Sequence, residues 1–327
     1  MRVLSGIQSS GKLHLGNYLG AMKQHIELQH DHDCFFFIAN YHALTTVTDP
    51  NLQREYTVDV ALDYLALGLD PNKAAIFRQS DVPEVTELAW ILSTVTGKGL
   101  LERATSYKDK TNKGIQPTMG LFTYPILMAA DILIYRSDVV PVGKDQVQHI
   151  EMAQDMAGYF NSTFGKEILK RPEARLNEAL IVPGLDGQKM SKSYGNTINL
   201  FDSAKETQKR VMSIKTDSTP VEAPKDSNTC NVFALYKLMA NPTEVAELEQ
   251  AYRKGGMGYG DAKKRLAIVI EHVLGPAREN RLKLAADPDT VEDILTTSAR
   301  RARAEARKTM ADVREVCGLM TSKDTHR

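Results

Sequence analysis

The sequence predicts an α/β chain: a doubly wound parallel sheet over residues 1–200, followed by an all-helical part over residues 201–327. Three observations carry the prediction. Short apolar runs alternate with stretches of helical spacing through the first half, the pattern of repeated strand–helix–strand units. Cys34-Phe35-Phe36-Phe37-Ile38-Ala39 is an unbroken apolar run, as a parallel strand covered on both faces requires. From Ala204 onward only helical periodicity remains.

Each element follows from local pattern. Arg2 to Ser5 forms a first strand closed by Gly6, and Gly6 to Gly11 a glycine-bounded loop. Leu15, Leu19, Met22 and Ile26 recur at helical spacing, so one helix is expected from Leu13 to about Gln29. After the second strand, Asp49-Pro50 opens a helix that ends at Leu67, before Gly68. Ala75 to Phe77 is a third strand, and Glu84 to Thr96 a helix stopped by Gly97. Leu100 to Gly120 is polar, carries Lys108, Lys110 and Lys113, and interrupts the pattern; an inserted connective region is expected over about residues 75–135. The pattern resumes with a helix from Pro125 to Tyr135, the proline in its first turn, then a strand Val139–Val142 and a helix Asp145–Phe160. Helices follow at Ala204–Ile214, Val232–Ala240, Glu244–Arg253, Asp261–Ala285 and Val291–Val316, the last a candidate to pack back on the first domain.

Composition bounds the function. The 327 residues are 42% hydrophobic and 25% charged, ordinary for a globular protein with room for two domains. The 41 basic and 41 acidic residues balance, so a nucleic-acid partner would have to be met by local patches. The three cysteines, at 34, 230 and 317, are too scattered for a disulfide framework or a zinc site, which fits a reducing cytoplasm. The N-terminus does not read as a signal peptide, and no apolar run reaches the ~18–20 residues of a membrane span.

Two motifs carry chemistry. Gly11-Lys12-Leu13-His14-Leu15-Gly16-Asn17 places an imidazole, an amide and side-chain-free backbone at the start of a helix. Unpaired N–H groups and a positive dipole end make such a terminus suited to phosphate. His14 and Asn17 can donate to phosphate oxygens; equally, they can cap the helix. Lys189-Met190-Ser191-Lys192-Ser193 puts two ammonium groups and two hydroxyls on a loop after the turn-rich Pro183–Gln188. Lysines on a movable loop suit a leaving polyphosphate, and a solvated basic turn is the plainer alternative. A third stretch, Tyr124 to Tyr135, places Asp131 in an almost wholly apolar helix, with Tyr124, Met128, Asp131 and Tyr135 sharing one face. A buried carboxylate needs donors. An indole N–H against methionine and tyrosine walls would serve, and so would an internal arginine or a helix N-terminus.

His14-x-Gly16-Asn17 and Lys189–Ser193, in that order and about 175 residues apart, resemble the two nucleotide signatures of class I aminoacyl-tRNA synthetases. Tyr-Pro-x-Leu-Met-Ala-Ala-Asp-Ile-Leu-x-Tyr at 124–135 is similar to the tryptophan-binding helix of bacterial-type tryptophanyl-tRNA synthetases. Gly6-Ile7-Gln8, Val140-Pro141-Val142-Gly143 and Gln148-His149-Ile150-Glu151 extend the match over most of the chain. The resemblance implies a Rossmann-like catalytic domain and a helical domain that reads the tRNA anticodon. It implies ATP binding by Gln8, Ser9, Ser10, Gly16, Asn17 and the Lys189–Ser193 loop, with Met190, Ser191, Lys192 and Ser193 included. It adds Gly143, Lys144 and Asp145 at the ribose and Ile181 backbone at the adenine. His14, Asn17, Lys189 and Lys192 would be the catalytic groups. Asp131 would read the indole nitrogen, with His42, Tyr124, Met128, Gln146 and Leu4 lining the pocket.

The family commonly has Pro-Ser where this chain has Ser9-Ser10, Glu where it has Lys144, and often an aromatic residue at Leu4. Some relatives hold an iron–sulfur cluster; without clustered cysteines none is expected here, nor any protein-bound metal, and Mg²⁺ would come with the ATP phosphates. The expected partners are L-tryptophan, tRNA(Trp) and a second copy of the chain. Arg300, Arg301, Arg303, Arg307, Lys308 and Arg314 crowd the last helix and read as a solvated face or as phosphate contacts. The rivals are a tyrosyl-tRNA synthetase, a small-molecule adenylylating enzyme and a non-catalytic RNA-binding paralogue.

Overall fold

The computed structural model describes residues 1–104, 118–143, 146–176 and 181–319. Among the described residues five strands, β1 (Arg2–Ile7), β2 (Asp33–Ile38), β3 (Ala74–Arg78), β4 (Val139–Val142) and β5 (Glu173–Leu176), form one parallel sheet in the order β3-β2-β1-β4-β5. Strand register sorts the side chains. Val3, Cys34, Phe36, Ile38 and Ile76 enter one core, while Leu4, Phe35, Phe37 and Phe77 enter the other. Alternation of period two along strands covered on both faces produces this split. The sequence reading missed β5. Its residues Glu-Ala-Arg-Leu sit at an exposed edge, so no apolar run marks them.

The helices are α1 (Leu15–Asn17), α2 (Lys23–Leu28), α3 (Asn40–Ala43), α4 (Pro50–Ala66), α5 (Glu84–Val95), α6 (Lys98–Glu102), α7 (Met119–Ile134), α8 (Val147–Phe164), α9 (Ala204–Met212), α10 (Asn231–Met239), α11 (Pro242–Lys254), α12 (Tyr259–Ala285) and α13 (Pro288–Val316). α3 and α6 were not expected, α8 runs later than expected, and two further differences bear on the site. The single helix expected over 13–29 is broken by a π-helical turn, Tyr18–Met22, between α1 and α2. Gly16 and Gly20 weaken the ordinary helical ladder there, and wide turns of this kind cluster at functional sites. Pro125 lies inside α7 and not in its first turn: the helix starts six residues earlier, with Thr118 as its N-cap. An interior proline costs a helix about 3 kcal/mol. Burial of Leu121, Pro125 and Ile126 along the same helix offsets that cost.

The first core runs from the sheet through α2 and α4 into Val211, Leu235, Tyr252 and Leu266 of the C-terminal helices. The second holds α5, α7, α8 and the far half of α13, from Ala299 to Val313. α13 lies along β3 and α5. Most of its cations pair with carboxylates, while Arg301, Arg307 and Lys308 also remain exposed to solvent. Arg303 and Arg307 reach the buried Glu84 at 2.8 and 3.1 Å, Arg314 reaches Glu87 at 2.7 Å, Arg301 reaches Asp33 at 2.5 Å, and Lys308 reaches Glu305 at 2.6 Å. Arg300 is exposed, and the Lys308 pair lies within α13 itself. Among the described residues no helix is long and apolar enough to cross a membrane.

His25 shows how tightly the first core is closed. It is fully buried, stacked at 4.8 Å on Phe36, and its Nδ1 is 2.7 Å from the Tyr64 hydroxyl. Burial disfavours the imidazolium and pulls its pKa from 6.5 down to about 4. The unfolded chain therefore binds a proton that the folded one refuses, and stability from this group, complete above 6.5, is lost as pH falls toward 4. In denaturant titrations across that window, His25→Phe is expected to remove up to about 1.4 kcal/mol per pH unit of slope from the wild-type profile.

Candidate active site

The strand order reverses between β1 and β4, and ligands of open α/β sheets bind outside the carboxyl ends of strands at such a switch. A cavity of about 470 Å³ opens there. Leu4, Gly6 and Gln8 line it from β1 and the loop beyond; Gly20 and Ala21 from the π-helical turn; His42 from α3; Tyr124, Met128 and Ile132 from α7; Val140 to Gly143 from β4; and Gln146 and His149 at the start of α8. All five pocket residues inferred beside Asp131, namely Leu4, His42, Tyr124, Met128 and Gln146, are therefore together. Gly6 is required by contact: a Cβ there would meet the Phe37 ring at 2.5 Å.

Asp131 is not on the cavity wall but behind it, with 1% exposure. The face expected to carry Tyr124, Met128, Asp131 and Tyr135 splits. Tyr124, Met128 and Ile132 follow one drifting stripe, Asp131 turns toward α3, and Tyr135 packs between Phe35 and Phe77. Among the described residues Asp131 has neither an arginine nor a helix N-terminus as partner. His42 Nε2 lies 2.9 Å from Oδ2, and Gln79 Nε2 donates to both oxygens at 2.8 Å. Burial raises the Asp131 pKa, and the hydrogen bonds from His42 and Gln79 pull against that rise. Sequence reading missed Gln79. Its signal was position: it is the first residue beyond β3, at the carboxyl end of a strand. His149, also missed as a site residue, meets the Tyr124 hydroxyl at 2.6 Å.

The two motifs meet. Lys192 Nζ donates to the Gly11 carbonyl at 2.9 Å, and backbone bonds Leu15 N to Ile198 O and Leu200 N to Leu13 O stitch the segments around them. The lysine loop is tied down by Asn196. Its Oδ1 accepts from Ser191 N at 2.8 Å, and its Nδ2 donates to Asp186 at 2.7 Å and to Lys189 O at 3.2 Å. Met190 is buried in the first core, Lys189 is exposed, and the Ser191 and Ser193 hydroxyls bond each other at 2.8 Å.

His14 is the N-cap of α1, and its backbone N–H donates to Asn17 Oδ1 at 3.0 Å. Capping is thus what the Asn17 oxygen does, while its amide nitrogen remains a donor. The His14 ring folds over Gly16, where a Cβ would sit 2.9 Å from it, so the missing side chain admits the imidazole. Burial, then the Lys192 charge, lowers the His14 pKa to about 4, so the ring is neutral at pH 7. Its Nδ1 is buried without a partner among the described residues. Ser9 is fully buried with its hydroxyl accepting from Thr57, so it braces the loop from behind, whereas Gln8 lines the cavity and Ser10 is half-buried. Ile181 is exposed at the edge of the lysine loop. Lys144 and Asp145, and with them Lys108, Lys110 and Lys113, lie outside the described residues.

Residues 1–275 match the family profile described as tRNA synthetases class I (W and Y). The chain belongs to that family. It is 53% identical to the tryptophan–tRNA ligase of Rhodopirellula baltica, over 98% of this chain and all of that protein. It is 52% identical to the Fusobacterium nucleatum tryptophan–tRNA ligase, over 98% of each. The Campylobacter jejuni tryptophanyl-tRNA synthetase, solved with ADP and tryptophan, superposes with a TM-score of 0.92 at 48% identity, covering 97% of this chain and all of that one. The bacterial tryptophanyl branch of the class I synthetases is therefore where this sequence lies.

The Gly6 contact yields a direct test of the cavity's construction. Gly6→Ala forces its methyl into the Phe37 ring, and such overpacking is expected to cost roughly 1–3 kcal/mol in denaturant unfolding.

Proposed function

We propose that the protein attaches L-tryptophan to tRNA(Trp), using ATP and passing through tryptophanyl-adenylate. A tryptophan carboxylate oxygen attacks the α-phosphorus and the bond to the β-phosphate breaks, releasing pyrophosphate. A 3′-terminal ribose hydroxyl of the tRNA then takes the aminoacyl group, and AMP leaves. One observation carries the reading. A cavity of about 470 Å³ is walled by Met128 and Tyr124 and backed by the buried Asp131 carboxylate, and Gln8 on its wall leads into the Gly11–Asn17 segment that Lys192 meets. An aromatic amino acid with a ring N–H and a nucleotide triphosphate can there occupy adjoining space. The Campylobacter jejuni relative was solved with ADP and tryptophan together, which supports the same pairing.

The residues divide the work. Leu4, His42, Tyr124 and Met128 hold the ring, with Asp131 as acceptor for its N–H, and Gln146 meets the ammonium or carboxylate. Gln8, Ser10, Gly16, Gly143, Lys144, Asp145 and the backbone of Ile181 hold ATP, with Ser9 braced behind them. ATP enters as its magnesium complex, the ion held by the phosphates. His14 and Asn17 donate to the α-phosphate as it becomes five-coordinate. Lys189 and Lys192, helped by Ser191 and Ser193, neutralise the departing pyrophosphate. Donors fixed in advance where charge develops supply most of such a rate enhancement, and no covalent enzyme intermediate is needed. Residues 201–327 form the anticodon-binding domain of a cytoplasmic homodimer that the tRNA spans.

ATP–pyrophosphate exchange tests this. Exchange is expected with tryptophan and absent with tyrosine or no amino acid. Exchange driven by tyrosine, or none at all, contradicts the reading. Lys192→Met is expected to slow the exchange by about 10²–10³-fold while moving the tryptophan KM little, because the lost charge acts on the transition state.

A further inference from the structure

Gln79 is the first residue past β3 and opens a single 3₁₀ turn, Gln79–Asp81, with 1% exposure. Its amide orientation is set by chemistry. Oε1 accepts from Tyr41 N–H at 3.0 Å, so the NH₂ end must face Asp131, 2.8 Å from each carboxylate oxygen. The turn is bolted to α3 by a reciprocal pair: Asn40 Nδ2 donates to Ser80 Oγ at 2.8 Å, and Ser80 N donates to Asn40 Oδ1 at 3.1 Å. His42, the other donor to Asp131, rides on α3. The two donors thus belong to one braced unit, and they differ in one respect: His42 lines the cavity and Gln79 does not.

We propose that Gln79 is a specificity-determining positioning residue, which fixes Asp131 as an oriented acceptor so that the site selects a ring N–H. The inference rests on the tryptophan reading above and deepens it. A carboxylate offers about four acceptor positions. Gln79 takes one on each oxygen and fixes the plane of the group. An amide does this without supplying a positive charge, which would quench the acceptor for any other donor. The His42 Nε2 bond occupies Oδ2 from the cavity side, and it is the bond that an incoming N–H replaces. Without Gln79 the carboxyl group is free to turn or to take up a proton. A protonated carboxyl turns a donor toward the ring nitrogen, and selection for an N–H is lost.

The test is ATP–pyrophosphate exchange by the full chain with L-tryptophan and with its benzothienyl analogue, in which sulfur replaces the ring N–H. Wild type is expected to prefer tryptophan. Gln79→Met is expected to raise the tryptophan KM roughly 10- to 100-fold with kcat little changed, and to leave the analogue's KM nearly unmoved, so the preference collapses. Gln79→Glu supplies a donor only while it holds the proton shared with Asp131. It is expected to keep the preference at about pH 6 and lose it by about pH 9, a profile absent from wild type. If Gln79→Met does not fold, the Gln79→Glu series decides alone. Equal KM rises for both amino acids, or a Gln79→Glu preference that ignores pH, overturn the proposal in favour of a purely structural role. A wild type with no tryptophan-dependent exchange instead removes the reading beneath it, and a wild type indifferent to the analogue removes the inference alone.

Discussion

A carboxylate buried in an apolar helix organises this half of the molecule. Among the described residues Asp131 has no arginine or lysine beside it, so its burial depends on the His42 and Gln79 donors held at hydrogen-bonding distance. An unpaired charge in such a place costs several kcal/mol. That requirement explains why a polar glutamine follows a buried strand and why α3 is bolted to the turn after β3. It also explains why a histidine stands between the acid and the cavity. The same arrangement stores recognition, because a site whose acceptor is already desolvated penalises any ligand unable to satisfy it.

The second constraint is closure of chain segments that are far apart in sequence. Lys192 reaches the Gly11 carbonyl, backbone bonds join Leu13 and Leu15 to the strand-like stretch 198–200, and Met190 is sealed into the core beneath Gly16. The parallel sheet brings these parts together because β1 lies at its centre and the chain passes to opposite sides of it. The C-terminal helices share the core of one face, while α13 is clamped by ion pairs to the other. The nucleotide groups therefore rest on a platform tied to both halves of the chain, and a movement of the lysine loop must break the Asn196 contacts as well as the Lys192 bond.

Much of this was legible in sequence because apolar periodicity reports burial. The strands at Cys34–Ile38 and Val139–Val142, the helices after Asp49 and before Gly97, and the all-helical second half follow from it. The edge strand Glu173–Leu176 did not, since an exposed edge has no apolar signature. Nor did the π-helical turn at Tyr18–Met22 or the early start of α7, where packing overrides the local preferences of glycine and proline. At the site, the pocket residues were named from motif, and they converge on one cavity. Gln79 was illegible because a lone glutamine has no pattern, and the ion pairs that tie α13 down were illegible because sequence shows cations but not the carboxylates opposite them.

The most direct measurement is calorimetric titration of L-tryptophan into the wild-type protein and into Asp131→Asn. The substitution keeps shape but exchanges an acceptor for a donor. If Asp131 is the group that reads the ring N–H, affinity falls by about 10²-fold or more, while ATP affinity is unchanged. Tryptophan bound equally by both proteins would place the recognition elsewhere and contradict the account.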